Sequence, residues 1–385
     1  MAWEVKHNPM ERVLELLSEE GLDGAGEALR VLLNAAMLLE RERHLGVGPW
    51  ERNAARLGHA NGFKPKTVAS RVGVLNLAVP QVREGGFYPA ALERGLRSER
   101  ALTLALAEMY VQGVSTRKVA AVVEELCGVE VTSSQVSRAA AELDGALQAW
   151  RERPLGACPY VYLDARYEKV REGGVVRDCA VLIALGVTAT GKRQVLGVSV
   201  ALSEAEAHWR AFLQGLQRRG LSGVQLLISD AHEGLNAARQ AVFPSVPWQR
   251  CQFHLQQNAQ SYVPKKEMKG EVASVIRAIF NAPNQVEAER LLKHAVERYE
   301  KTAPRLAAWL EQTLPQGFTV FAFPERHRRC LRTSNVLERV NQEIKRRTRV
   351  ARLFPHPAAC ERLVSAILME ISEDWETGKV YLTME

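Results

Sequence analysis

Two aspartates stand where an acid is costly. Asp164 interrupts the alternating run Tyr160 to Arg166, in which Tyr160, Tyr162, Asp164 and Arg166 share one face and Val161, Leu163 and Ala165 the other. Asp230 ends the apolar run Val224 to Ser229. A carboxylate in such surroundings must be solvated, paired or bound to a cation, and two brought together repel until a proton or a metal joins them. Oxygen-only ligands suit Mg²⁺ or Mn²⁺, and two such ions about 4 Å apart serve phosphoryl transfer. A strand-end acid standing alone has a plainer use, capping the helix that begins near His232 or Glu233.

A second group is Cys251 with His254. Zinc in a structural site takes four ligands, so this pair falls short and reads as a structural element. Trp248 beside it reads as core. The six cysteines form no CxxC pair, which fits a reducing cytoplasm rather than a disulfide framework. From Arg326 to Arg352 there are ten Lys/Arg against two acids, a local balance of +8 in a chain whose total is +7. One basic segment of this kind suits a polyanion, since each neutralised phosphate releases counterions; a solvated helix face is the plain alternative.

These groups need elements to hold them. Residues 8 to about 43 have helical periodicity, closed by the breaker Gly46-Val47-Gly48-Pro49, and Val68 to Val79 reads as a short β segment. Around Gln112 to Asp144 the pattern is helix, turn, helix: Ser115 to Leu126, the break Gly128, then a helix capped by Ser133 or Ser134 that carries Gln135 and Arg138 towards bases or phosphates. A helical hairpin explains the same pattern equally well. Strands at about 160–166, 176–187 and 194–202 follow, with a turn at Thr190-Gly191. A capping box Ser203/Glu206 opens a helix to about Arg219, and the strand ending at Asp230 comes next. The order β-β-β-α-β predicts an α/β domain with helices on a mixed sheet. Residues 265–314 turn helical, and a basic helix runs from Ser334 until Phe354-Pro355 stops it. A last helix covers about 357–374. The division expected is 1–95, 96–150, 151–255, 256–325 and 326–385.

Taken in order, Tyr160-Val-Tyr-Leu-Asp164-Ala-Arg166, Leu226-Leu-Ile-Ser-Asp230-Ala-His232-Glu-Gly234-Leu, Arg250-Cys251-Gln-Phe-His254 and Thr333-Ser-Asn335-Val-Leu-Glu338-Arg-Val-Asn341 resemble the mutator-type transposases of bacterial insertion sequences. The likeness runs from about Asn61 to the C-terminus. It implies a DDE recombinase with a ribonuclease H-like core, an all-helical insertion before the last acid and a mainly helical N-terminal DNA-binding region. It makes Asp164, Asp230 and Glu338 the metal carboxylates for two Mg²⁺ or Mn²⁺ ions. The gap of 108 residues from Asp230 to Glu338 exceeds what such a core needs, and the insertion accounts for it. On a helix Asn335, Glu338, Gln342 and Lys345 share a face, while the competing Glu343 points about 140° away from Glu338. Arg166, Arg339, Lys345, Arg346, Arg347 and Arg349 are then expected at DNA, beside Gln135 and Arg138.

The function so implied is binding of an element's terminal inverted repeats, cleavage at its ends and joining to target DNA, by a dimer or larger assembly on double-stranded DNA in the cytoplasm. A structure-specific nuclease and a non-catalytic helix-turn-helix regulator are the rivals. The sequence has no run of 18 uncharged apolar residues and a polar start, so neither a membrane span nor a secretory signal is expected. Nucleophile-and-arginine signatures of serine or tyrosine recombinases do not appear.

Overall fold

The computed structural model describes residues 8–48, 51, 53, 56–83, 86–92, 98–349 and 351–384. Contacts divide the chain into two compact units between Glu142 and Leu143. Pro49, the expected 95/96 boundary and Val350 of the basic stretch lie outside the described residues.

In the first unit, the helical segment expected from residue 8 to 43 is two helices, α1 (Pro9–Glu20) and α2 (Ala25–Leu45). Gly21, at φ +62, ends the first, and a 3-10 turn through Gly24 leads into the second. The β-like segment is a hairpin of β1 (Ala60–Ser70) and β2 (Gly73–Val82), with Ser70 opposite Gly73 at the turn. Met37 of α2 packs with Val68, Leu75, Leu77 and Val79 of the hairpin, and Asn34 accepts a hydrogen bond from the Ala78 amide at 3.0 Å. Then come α3 (Arg100–Val111), α4 (Thr116–Cys127) and α5 (Ser133–Ala141), closed on Leu102, Leu106, Val119, Val123 and Val136. The helix expected from Ser115 to Leu126 is α4, with Ser115 as its cap and Gly128 ending it in the left-handed region. The cap of α5 is Thr132, however, not Ser133 or Ser134. Its hydroxyl accepts from the Gln135 amide while its own amide donates to Gln135 Oε1.

The second unit opens with α6 (Asp144–Glu152) and builds a five-stranded mixed sheet from β3 (Tyr160–Glu172), β4 (Val175–Val187), β5 (Arg193–Ala201), β6 (Leu226–Ser229) and β7 (Trp248–Arg250). The strand order is β5-β4-β3-β6-β7. The first three strands run antiparallel as a meander, and β6 and β7 add in parallel. Between β5 and β6 lies α7 (Glu206–Arg218), and between β6 and β7 lies α8 (Glu233–Val242). The expected Ser203/Glu206 capping box does not form: Ala205 is the cap residue, and the Ser203 hydroxyl only takes a long contact from the Ala205 amide at 3.4 Å. Val161, Leu163, Leu182, Leu196 and Leu227 meet Trp209, Leu213 and Leu235 on this face of the sheet.

After β7 come α9 (Gln252–Ala259), α10 (Lys269–Phe280), α11 (Gln285–Tyr299) and α12 (Pro304–Thr313), which close with the following turns on an apolar cluster of their own, from Leu255 to Phe321. Three helices complete the unit: α13 (Glu325–Leu331), α14 (Asn335–Thr348) and α15 (Pro357–Thr377). They cover the face of β3 that carries its tyrosines. The Tyr160 hydroxyl lies 2.9 Å from Nδ1 of the buried His327, whose Nε2 meets the Thr383 carbonyl at 2.7 Å, and the Tyr162 hydroxyl donates to the Cys330 carbonyl at 3.1 Å. A carbonyl only accepts, so Nε2 carries a proton. The six cysteines form no disulfide. Among the described residues, no helix is long and apolar enough to cross a membrane.

The tail of α14 is tied to α15 through charge. Arg347, 7% exposed, bonds Glu343 at 2.7 Å and Glu370 at 2.5 Å, and Arg346 joins Glu343 as well. The hydrogen bond from Arg346, reinforced by Arg347, holds the Glu343 carboxyl down at about 2. A carboxyl depressed in the folded state stabilises above its unfolded value near about 4.3 and loses that contribution as pH falls through the folded value. The partly exposed pair is expected to contribute about 1 kcal/mol. Thermal melts should therefore show Glu343→Gln melting below wild type at neutral pH, with the difference shrinking as pH approaches 2. A difference that grows on acidification would contradict the assignment.

Candidate active site

The β3–β6 register pairs Leu163 with Ser229, so Asp164 and Asp230 follow at the next positions on neighbouring strands. Adjacent strands stand about 4.8 Å apart, which brings the two acids side by side. Burial pushes the Asp164 carboxyl up to about 6, with Glu204 and Asp230 adding to the rise. Both aspartates are oriented by the amide that follows: Ala165 N donates to Asp164 Oδ1 at 2.9 Å and Ala231 N to Asp230 Oδ1 at 2.7 Å. The capping use considered for Asp230 is not the one observed, because His232 is the cap residue of α8.

A cavity of about 300 Å³ opens at this end of the sheet, lined by Leu163, Asp164, Ala165, Glu204, Asp230, His232, Leu235 and His254. Glu204, in the β5–α7 connection, adds a third acid to its wall and lies 3.7 Å from His232. No local pattern points to Glu204, since one acid in a polar loop looks like any surface residue. Arg250 brings a guanidinium, Nε 3.9 Å from Asp230 Oδ1, in a side chain only 11% exposed.

Glu338, on α14, does not line that cavity and meets its wall through His254. The path is set where β7 ends: the Cys251 amide donates to the Ser229 carbonyl, the Gln252 amide to the Arg332 carbonyl and the Ser334 amide to the Cys251 sulfur at 3.4 Å. The start of α14 is thereby pinned to the end of β6. Glu338 falls in the first turn of α14, where the helix dipole favours a negative charge. Its Oε1 is buried without a hydrogen-bond partner and lies 4.0 Å from His254 Nε2. His254 thus touches both halves, lining the cavity of the aspartates and facing Glu338. The Cys251 side chain lifts its imidazole to about 9 against the effect of burial, with Asp230 and Asp164 adding, although Nδ1 has no partner in hydrogen-bonding geometry. Burial alone would raise the Cys251 thiol, but its contacts with His254 and Ser334 outweigh that and lower it. Among the described residues, Cys251, His254 and Glu338 form a group that could hold a metal ion, their donor atoms all within 4.8 Å of one another.

Asn341, one turn beyond Glu338, donates from Nδ2 to Asp164 Oδ2 at 2.8 Å. It stood in the sequence motif with no role attached, and only the fold reveals that it joins α14 to β3. Asn335, Gln342 and Lys345 are exposed or half-buried on α14, as are Arg339, Arg346 and Arg349 at its surface and end. Arg347 and Arg166 differ from the expectation of DNA contact. Arg347 is neutralised inside the fold by Glu343 and Glu370. Arg166 pairs with Glu168 at 2.6 Å and bonds the Asn341 carbonyl, with its side chain 14% exposed. In the other unit, Arg138 is exposed on α5, and Gln135 uses its side-chain oxygen in the cap of that helix. Trp248 donates to the Ser229 hydroxyl at 2.9 Å under the Arg239 guanidinium, a packing role.

Comparison with known proteins extends over nearly the whole chain. The family model described as "Transposase, Mutator family" matches residues 6–378. A transposase for insertion sequence element IS406 of Burkholderia multivorans is 59% identical over 99% of both chains. One for element ISRM5 of Rhizobium meliloti is 43% identical over 94% of this chain and 91% of its own. One for element IS256 in transposon Tn4001 of Staphylococcus aureus is 36% identical over 92% and 91%. Similarity of this extent, together with carboxylates meeting at one end of a mixed sheet, assigns the chain to the Mutator family of transposases.

Proposed function

We propose that this transposase is of the DDE type, with a ribonuclease H-like core in which Asp164, Asp230 and Glu338 hold two divalent ions, Mg²⁺ or Mn²⁺. The register-adjacent aspartates carry the reading, with Glu338 meeting the same His254 that lines their cavity. A three-stranded antiparallel meander extended by two parallel strands supports the core assignment. Two neighbouring carboxylates, one lifted by burial, with Glu204 in the same wall, form a donor set that a hard cation satisfies. When bound, such ions supply Lewis acidity at the scissile phosphodiester.

The chain's own residues orient and bind. Asn341 and the Ala165 amide fix both oxygens of Asp164, so that carboxylate is held before substrate arrives. Arg339, Lys345, Arg346 and Arg349 lie along the surface of α14 and its end, where they hold backbone phosphates of double-stranded DNA. The α4–α5 pair reads the terminal repeats, with Arg138 the exposed cation of its second helix. Water first cleaves a phosphodiester at the element's end and releases a 3′-hydroxyl. That hydroxyl then attacks a target phosphodiester and expels its 3′-oxygen, so bonds broken and made balance without ATP. Paired ends imply a dimer or larger assembly on DNA.

On DNA carrying the element's terminal repeats, with Mg²⁺, wild type should give joined products. Asp230→Ala and Glu338→Ala should each lose at least about 10²–10³-fold in cleavage rate while still binding DNA, the scale of removing one preorganised electrostatic contact. Cleavage retained by both variants would refute the reading, and cleavage without joining in wild type would favour a nuclease. Asn341→Ala should slow cleavage about 10–100-fold at unchanged DNA affinity, as loss of a ligand-orienting residue does; an unchanged rate would remove Asn341 from the site. Replacing Lys345 and Arg349 together by alanine should reduce the slope of log affinity against log salt by about 0.9 for each phosphate no longer neutralised, and an unaltered slope would place DNA elsewhere.

A further inference from the structure

The geometry points to a site for a thiophilic divalent cation, of the Zn²⁺ class, built from Cys251, His254 and Glu338 and sharing Glu338 with the catalytic carboxylates. As a sequence, Cys251 and His254 are one ligand pair on a single turn of chain, too few to hold zinc. The fold brings a third donor from far along the chain, and the three donor atoms lie within 4.8 Å of one another. Two of the residues present buried polar atoms with no hydrogen-bond partner, His254 Nδ1 and Glu338 Oε1. Unpaired buried polar atoms are costly and uncommon, and a cation held by this group relieves that cost at the atoms it meets. Cys251 is fully buried at the junction of β7 and α9, where the amide of Ser334 also points at its sulfur.

Donor chemistry separates this site from the one beside it. Sulfur, imidazole nitrogen and one carboxylate oxygen suit Zn²⁺ or Co²⁺, whereas Mg²⁺ requires oxygen ligands. Three protein ligands leave the fourth tetrahedral position open to water, unlike a four-ligand structural site. A cation held here draws Glu338 towards Cys251 and His254 and away from the aspartates, so the two kinds of metal compete for one carboxylate. The binding itself does not depend on the proposed catalytic role; only its effect on cleavage does.

Titration of the metal-free full chain with Co²⁺ alone tests this. A sulfur-to-cobalt charge-transfer band in the near ultraviolet is expected with wild type, persisting in excess Mg²⁺. Asp164→Asn should keep the band even where it abolishes cleavage, which separates failure of this site from failure of the catalytic reading. Cys251→Ser should lose the band, and Glu338→Gln should bind Co²⁺ at least about 100-fold more weakly, since loss of a mere ligand-orienting residue already costs about 10–100-fold. Should Cys251→Ser fail to fold by circular dichroism, Glu338→Gln and His254→Ala decide the matter. No band in wild type at saturating Co²⁺, a band unchanged in folded Cys251→Ser, or wild-type affinity in both Glu338→Gln and His254→Ala would overturn the proposal.

Discussion

Two carboxylates held one strand spacing apart at the end of a buried sheet are the constraint around which the second unit is organised. Like charges at that distance repel strongly once water is removed, and burial is the main force lifting Asp164 to about 6. A fold has few ways to keep such a pair, and several are used together here. Each aspartate accepts from the amide that follows it, Asn341 reaches across from α14, and the His254 imidazole and Arg250 guanidinium stand close by. The meander β3–β4–β5 provides rigidity on one side and the parallel addition of β6 sets the register on the other. A slip of one residue between β3 and β6 would turn one acid to the opposite face of the sheet.

Delivery of Glu338 depends on a different kind of joint. The polypeptide leaves the sheet at β7, builds the separate apolar core of α9–α12, and returns to the same spot. Gln249 and Gln252 close this loop: both side-chain amides donate to the Gly317 carbonyl, and the Gln249 oxygen accepts from the Val320 amide. Buried, hydrogen-bonded glutamines fix the exit and return of the chain more stringently than apolar packing would, because few arrangements satisfy their polar atoms. Helix α14 then begins against Cys251 and places its acid on the first turn.

Much of this was legible in the residues. The alternation around Asp164 and the apolar run before Asp230 identify the strands, and the helical composition after residue 265 identifies the helices between the last two acids. The 3.6-residue period places Glu338 and Glu343 on different faces of α14, and the fold gives Glu343 to Arg346 and Arg347 instead. Long-range pairing was not legible. Nothing local distinguishes Glu204 from an ordinary loop acid or Asn341 from an ordinary helix amide. Arg347 looks like its neighbours Arg346 and Arg349 until Glu370 of another helix arrives to bury it. The cap at Thr132 rather than Ser133 or Ser134 shows the same limit at short range, since three hydroxyls in a row offer three possible starts and Gln135 selects among them by completing the reciprocal bond.

The spacing of the three acids also bears on the order in which the molecule acquires its abilities. Asp164 and Asp230 are separated by 66 residues and Asp230 and Glu338 by 108, and a complete apolar core is threaded between the last two. Pairings so distant along a chain are slow to close, while the α3–α5 helices and the β1–β2 hairpin depend on near neighbours. The N-terminal modules can therefore form without the acids having met. The meeting of the three acids is thus a property of the finished fold, and it requires α14.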